Sequence, residues 1–370
     1  MLQTANLERG TIWEKCILAE NLKDMNDYEV ETRKRGQTLL IVEGYHEKNV
    51  LFKLLFECFP EINIDIDDVW IYGTNIYLLY EDIVKEYGEN WTNDDIDIDL
   101  PFVISRKQSP DSLKYKYDFT NIFLVFDYER HDPNFSESKI LSMQRKLSDA
   151  ADMGKLYINY PMIESYQHLK SLPDPEYRNR KIPVNLRPGS EYKSLVSKET
   201  VISNVVDFPR RINDFAEKRY GVEDDIVRNK CCDEILQIST ADNLLGNIES
   251  IFLDVLDSER LNTLKHLLND WVTKIGYVYE RKTYYQYLKD IFVSIICHNI
   301  RKANWIQNGQ YKLKGNEYKA CFEHLDFSRI LDIQNNFSKD EVEGYIWVLN
   351  TCVFIVPDYN FALIQYPGAI

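Results

Sequence analysis

The chain has 370 residues, a formal charge of −15, 44% hydrophobic and 13% aromatic residues, and only 14 glycines and 12 prolines. That composition excludes a disordered or collagen-like chain, which would carry far less apolar content or far more Gly and Pro. The acidity argues against a passive coat for nucleic acid, which needs a basic surplus, but not against an enzyme that holds cations. It is also local: twelve acids and one base, Lys85, lie between residues 61 and 100, giving −11, and the other 330 residues together carry −4.

Residues 1–35 form an N-terminal extension in which no apolar leader segment follows Met1. A strand-helix alternation then begins. Thr38–Val42 is a short continuous apolar run, as expected of a strand buried on both faces, and it stops at Glu43-Gly44. Over Glu47–Phe59 the apolar residues Val50, Leu51, Leu54, Leu55 and Cys58 recur at spacings of three and four, which predicts an amphipathic helix. Val69–Tyr72 reads as a second strand, followed by an acidic insertion near 80–118. Asn121–Phe126 reads as a third strand, halted at Asp127. A turn with Pro133, a helix near Glu137–Leu147 and a fourth strand, Lys155–Asn159, follow. Strands alternating with helices predict a parallel sheet with right-handed crossovers.

Pro173, Pro175, Pro183 and Pro188 mark an extended loop, after which the pattern is helical almost throughout. Apolar stripes run through Ile248, Ile251, Phe252, Val255 and Leu256 and through Leu261, Leu264, Leu267 and Leu268. The expected organisation is an α/β parallel-sheet domain over 36–170 and a mostly α-helical domain over 171–370. The apolar stretch around Tyr345–Val356 is too short, and too interrupted by Asn350, to span a bilayer. Seven unevenly spaced cysteines (Cys16, Cys58, Cys231, Cys232, Cys297, Cys321 and Cys352) suit reduced thiols in a cytoplasmic protein better than a disulfide framework.

In open α/β sheets, functional groups gather beyond the carboxyl ends of the strands. Glu43 follows the first strand, Asp127 and Glu129 the third, and Glu164 the fourth. Residues i and i+2 of an extended backbone point the same way, so Asp127 and Glu129 are expected to share one site while Tyr128 points elsewhere. Gly44 would let the backbone turn sharply after Glu43. Crowded carboxylates repel unless a cation sits among them, and hard Mg²⁺ or Mn²⁺ suits an all-oxygen site. The bland reading is that these acids cap helices.

The run Leu39-Leu40-Ile41-Val42-Glu43-Gly44 ahead of a helix, with Val125-Phe126-Asp127-Tyr128-Glu129 later, resembles the Toprim domain shared by topoisomerases, bacterial primases and the OLD-type nucleases. That resemblance implies a Toprim-like sheet, with Glu43 in acid/base chemistry or metal binding and Asp127 as a Mg²⁺ ligand. Glu129 stands where the family has aspartate. The segment Tyr157–Tyr166 is similar to a motif of Toprim-like proteins in bacterial anti-phage systems of the RloB and abortive-infection type, which would make Glu164 a further ligand. The resemblance covers about residues 36–170.

Phosphate neutralisation would fall to Lys155, Arg130 and the cluster Arg178, Arg180, Lys181 and Arg187, and His46 and His131 stand near the proposed acids. Tyr277, Tyr279, Arg281, Lys282, Tyr284, Tyr285 and Tyr287 interleave rings and bases in a way that suits stacking on nucleic acid, although inward packing explains them better. Cys297, His298, Cys321 and His324 match no zinc spacing, and the chain has neither a P-loop nor a G-x-S-x-G elbow. The expectation is a Mg²⁺- or Mn²⁺-dependent nuclease acting on DNA or RNA, tRNA included, with Glu43 and Glu129 catalytic and Glu43, Asp127, Glu129 and Glu164 holding metal. By the resemblance it is the effector of an anti-phage system, controlled by a separate ATPase chain, with self-association open. The alternative is a catalytically impaired Toprim-like interaction subunit of such a complex.

Overall fold

The computed structural model describes residues 37–186 and 189–364, so the N-terminal extension, Cys16 and Arg187 lie outside the described residues. The apolar run Thr38–Val42 forms β1, every residue of it buried. A π-helical segment, Glu47–Phe52, leads into α1 (Lys53–Cys58), and together they cover the expected helix. β2 (Val69–Ile71), α2 (Ile76–Tyr87), α3 (Leu100–Gln108), β3 (Asn121–Asp127), α4 (Glu137–Lys146), β4 (Ser148–Asp149) and β5 (Gly154–Asn159) complete the α/β part.

The sheet order is β2-β1-β3-β5-β4, with β2, β1, β3 and β5 mutually parallel and β4 antiparallel to β5 at the edge. The short β4 hairpin was not expected. It depends on Gly154, whose φ of +118° disfavours any side chain and whose Cβ, if present, would lie 2.9 Å from Leu124. The chain leaves β1 toward β2 on one side and returns to β3 on the other, so the topological switch point lies between β1 and β3. Val42 pairs with both Ile71 and Val125, and Asp127 with Asn159, which brings the strand ends level.

The acidic insertion is built into this unit. Trp91, Ile98 and Leu100 are fully buried. Its acids meet bases from further along the chain: Asp82 pairs with Lys107 at 2.7 Å, Glu86 with Arg106, Asp97 with Lys116 and Glu81 with Lys139. Part of the −11 of the sequence is therefore compensated in space, at these four of its twelve acids.

Helices dominate the rest, in α5 (Ser190–Glu199), α6 (Phe208–Tyr220), α7 (Asp225–Gln237), α8 (Leu244–Phe252), α9 (Ser258–Ile275), α10 (Tyr284–Asn308) and α11 (Phe327–Ser338). Thr283 and Gln286 form a capping box that starts α10, whose buried residues Leu288, Phe292, Ile295, Ile296 and Ile300 pack toward α1. Among the described residues no helix is long and apolar enough to cross a membrane.

The helical half is not separate from the sheet. β6 (Lys181–Pro183) pairs antiparallel with β7 (Tyr345–Trp347), and Tyr160 and Leu349 exchange backbone hydrogen bonds of 2.8 and 3.0 Å. Beyond that bridge, Thr351 Oγ1 donates to Ile158 O at 2.7 Å and the Cys352 N–H donates to Asn159 Oδ1 at 3.2 Å. Asn350 is wholly buried. Its N–H donates to Asn299 Oδ1 of α10 and its amide to Ile163 O and Ser165 Oγ, while its Oδ1 accepts from the Val353 N–H. Removing the side chain orphans several buried groups at once, each costing about 1–3 kcal/mol. Asn350→Ala is therefore expected to lose about 2–4 kcal/mol in urea unfolding, whereas Asp94→Ala, in the exposed part of the acidic stretch, should stay within about 0.5 kcal/mol of the parent.

Candidate functional site

The strand-end carboxylates are held by backbone geometry before any side chain chooses a rotamer. The β1–β2 ladder runs past the strand, with the Gly73 N–H donating to Glu43 O at 2.9 Å, so Glu43 is fixed beside the end of β3. Its Oε2 accepts the Asp127 N–H at 3.3 Å. Asp127 is buried at the end of β3, where its carboxylate accepts the Asn159 amide at 3.4 Å and the Ile163 N–H. Glu164, 7% exposed, stands in the 3₁₀ turn Ile163–Gln167 after β5.

Glu47 joins them and was not among the expected site residues. It opens the π-helical segment, is 7% exposed, and lies close enough to raise the proton affinity of both Glu43 and Asp127. The sequence did contain a signal, Glu-Gly-x-x-Glu, in which the glycine makes room. The backbone bends at Glu43-Gly44 as expected, without a positive φ, and a Cβ on Gly44 would stand 2.9 Å from Glu47 Oε2, so Gly44 also serves close approach.

Four carboxylates thus gather at the switch point: Glu43, Glu47, Asp127 and Glu164. Burial and then the charge of Glu129 push the Glu43 carboxyl up to about 8, with lesser help from Glu47 and Asp132, while the hydrogen bond from the Asp127 N–H opposes them by more than either of those two acids adds. Burial, Glu43, Glu47 and Glu164 hold Asp127 well above the usual carboxylate range. Glu129 stands next to them, on the Glu43 side: it is the strongest charged neighbour of Glu43, it also meets Asn75 and faces Asp132, and among the described residues its buried Oε2 has no partner. Tyr128 does point elsewhere, its hydroxyl meeting Asn335 at 2.7 Å and Ser338 at 2.9 Å on α11.

The cations at the site are not those read from the sequence. Lys193 on α5 meets Glu164 Oε1 at 3.0 Å, and His46 approaches the same oxygen at 3.7 Å. Among the described residues, Glu43, Glu47, Asp127 and Glu129 have no ion-pair partner. Lys155 lies four residues before Asn159, about 13 Å back along β5, and pairs with Asp358 at 2.6 Å. Arg180 is buried against Asp174 at 2.9 Å and donates to His168 O, Arg178 lies over Trp305, and Lys181 over Tyr345. Arg130 covers the Phe135 ring, and His131 bonds the Val184 carbonyl.

Within the tyrosine-rich stretch, Tyr277 and Tyr284 pack inward, Tyr277 donating to Ile235 O and Tyr284 to Val205 O, whereas Tyr279 is exposed. His298 accepts the Asp174 N–H and donates to Ser294 O, so it is a structural residue.

Among the described residues no group of three or more His, Cys, Asp and Glu is arranged so that it could hold a metal ion. The chemistry of the donors nevertheless fits a hard divalent cation. The set is all oxygen, its negative charge is met by one ammonium and one imidazole, and Glu164 Oε2 is buried without a partner. Small side-chain movements would have to close these carboxylates around an ion. Comparison with protein-family models, with curated proteins and with solved structures found no match.

The raised Glu43 carboxyl has a consequence for stability. The unfolded chain releases this proton near 4.5 and the folded chain near 8, so the folded form is favoured fully below 4.5 and progressively less as pH rises toward 8. In EDTA, the parent protein should lose stability across that window. Glu43→Gln, which keeps the shape and removes the charge, should flatten the fall and be more stable than the parent at pH 8.5 by about 2–4 kcal/mol in urea unfolding.

Proposed function

We propose that the chain is a divalent-metal-dependent nuclease with a Toprim-like sheet, using Mg²⁺ or Mn²⁺, and that it is the effector of a bacterial anti-phage system under the control of a separate ATPase. One observation carries this reading: four carboxylates, Glu43, Glu47, Asp127 and Glu164, gather beyond the parallel strands at the switch point between β1 and β3, where open α/β sheets place their ligands. Free thiols on the six described cysteines support a reducing, cytoplasmic setting.

Asp127, Glu47 and Glu164 are the ligands in this reading, with Glu43 as ligand or proton acceptor. A bound cation would orient the phosphate, lower the pKa of a water and stabilise the departing oxygen. The protein's own groups do the rest. Glu43, its Oε2 fixed by the Asp127 N–H, is placed to take the proton of an attacking water. His46 stands at the exposed rim, where it can pass a proton to solvent or meet a phosphate oxygen. Tyr45, 73% exposed between Gly44 and His46, offers a ring on which a nucleobase can stack. Burial of the carboxylates keeps bulk water from screening the charge they present.

A second reading, an interaction subunit with an impaired site, draws on Glu129 standing where the resembled family has aspartate and on the lack of a preassembled ligand group among the described residues. Expression in bacteria with and without a candidate ATPase separates the two. Purified protein should cut plasmid or total RNA only with Mg²⁺ or Mn²⁺, and Glu43→Ala and Asp127→Ala should lower cleavage by about 10²-fold or more and abolish toxicity. Equal behaviour of the parent and both variants would overturn the nuclease reading and leave the interaction subunit.

A further inference from the structure

Among the described residues the four carboxylates have one lysine or arginine paired with them, and its placement is specific. Lys193 is carried by α5, which is fastened from the other side. Tyr192, fully buried, meets His168 Nδ1 at 3.1 Å, and Glu199 meets His168 Nε2 at 2.8 Å. His168 is itself buried, and its carbonyl accepts from Arg180, which is paired with Asp174. The helix is therefore rigidly seated near the site by contacts at both of its ends. The Lys193 side chain is not: it is 49% exposed, with a long flexible stem.

Its ammonium meets Glu164 Oε1 at 3.0 Å, while Glu164, 91% buried on the side-chain measure, keeps Oε2 without any partner. A carboxylate that is buried and half satisfied is in an unfavourable position unless something further reaches its free oxygen.

We propose that Lys193 is a built-in counter-ion that holds the place of the divalent cation, so that metal binding requires the ammonium to leave Glu164 and swing to solvent. This rests on the reading of the carboxylates as a metal centre, and it adds that the chain sets its own cation threshold. In the Lys193-bound arrangement Glu164 answers to the ammonium, and among the described residues no three acids close into a ligand group. Glu43, Glu47, Asp127 and the free Glu164 oxygen would hold a divalent ion, and its charge would repel the Lys193 ammonium, whose exposed stem gives it a path outward. The released ammonium then lies at the rim beside His46, where a phosphate can take it up. No covalent step is involved. The exchange is one cation for another at one carboxylate.

The test is Mn²⁺ titration of the full chain without nucleic acid, reading free Mn²⁺ by its electron paramagnetic resonance signal, with calorimetry as a second readout. Lys193→Gln should bind Mn²⁺ at least about tenfold more tightly than the parent. Lys193→Arg, which keeps the charge, should bind no more tightly than the parent. In a Glu164→Gln background the gain from Lys193→Gln should vanish, because the shared carboxylate is gone. Lys193 is half exposed, so the variants are expected to fold, and thermal unfolding without metal checks this. Equal or weaker binding by Lys193→Gln, with the parent still binding, would overturn the counter-ion role and leave the metal centre standing. No Mn²⁺ binding by parent, Lys193→Gln and Lys193→Arg alike would overturn both.

Discussion

The structure turns on one buried polar join, where the segment Asn350–Val353 meets the end of β5. Asn159 accepts the Cys352 N–H and offers its amide to Asp127, and Asn350 binds Asn299 of α10 on one side and the turn after β5 on the other. Every one of these groups is buried, so each must find a partner or cost free energy. The partners come from three distant stretches of chain, around 159–165, 299 and 350–353. The α/β sheet and the helical half are thereby locked into one register, and Asp127 inherits its orientation from that lock.

On this platform the protein gathers like charges that repel. Glu43 and Asp127 keep their protons far above the ordinary range because burial and neighbouring carboxylates penalise the ionised forms. Such an arrangement destabilises the fold near neutral pH, and stabilising contacts elsewhere must offset it. Lys302 is a second such group: wholly buried, it donates to the carbonyls of Tyr177, Arg178 and Arg180, while burial and the charges of Arg180, Arg178 and Lys181 disfavour its ammonium. Concentrated strain of this kind is the usual mark of a functional region.

Much of the α/β part was legible in the chain. β1, β3 and β5 are continuous apolar runs because strands of a parallel sheet are covered on both faces, and each stops abruptly at a polar residue. Glu43, Asp127 and Glu164 could be named because they stand at those stops. Glu47 was passed over because an acid at a helix start reads as a dipole partner. Lys193 was passed over because nothing in a helical Ser-Glu-Tyr-Lys-Ser stretch reveals which carboxylate it will meet, and Lys155 was chosen because it is near β5 in sequence, although it lies at the other end of the strand. The acidic insertion misled in the same way. Its charge is a sum over neighbours in sequence, whereas its energetics depend on Lys107, Arg106, Lys116 and Lys139, which are neighbours in space.

By itself, then, the sequence determined the four parallel strands, the helices after β1 and β3, and which carboxylates stand at the strand ends, because hydrophobic periodicity and strand termini are local properties of the chain. Only the tertiary structure decided that the segment Leu349–Val353 braces β5, that Glu47 joins the strand-end acids, and that Lys193 faces Glu164. Those outcomes depend on burial and charge among residues tens to hundreds of positions apart, and no local pattern encodes them.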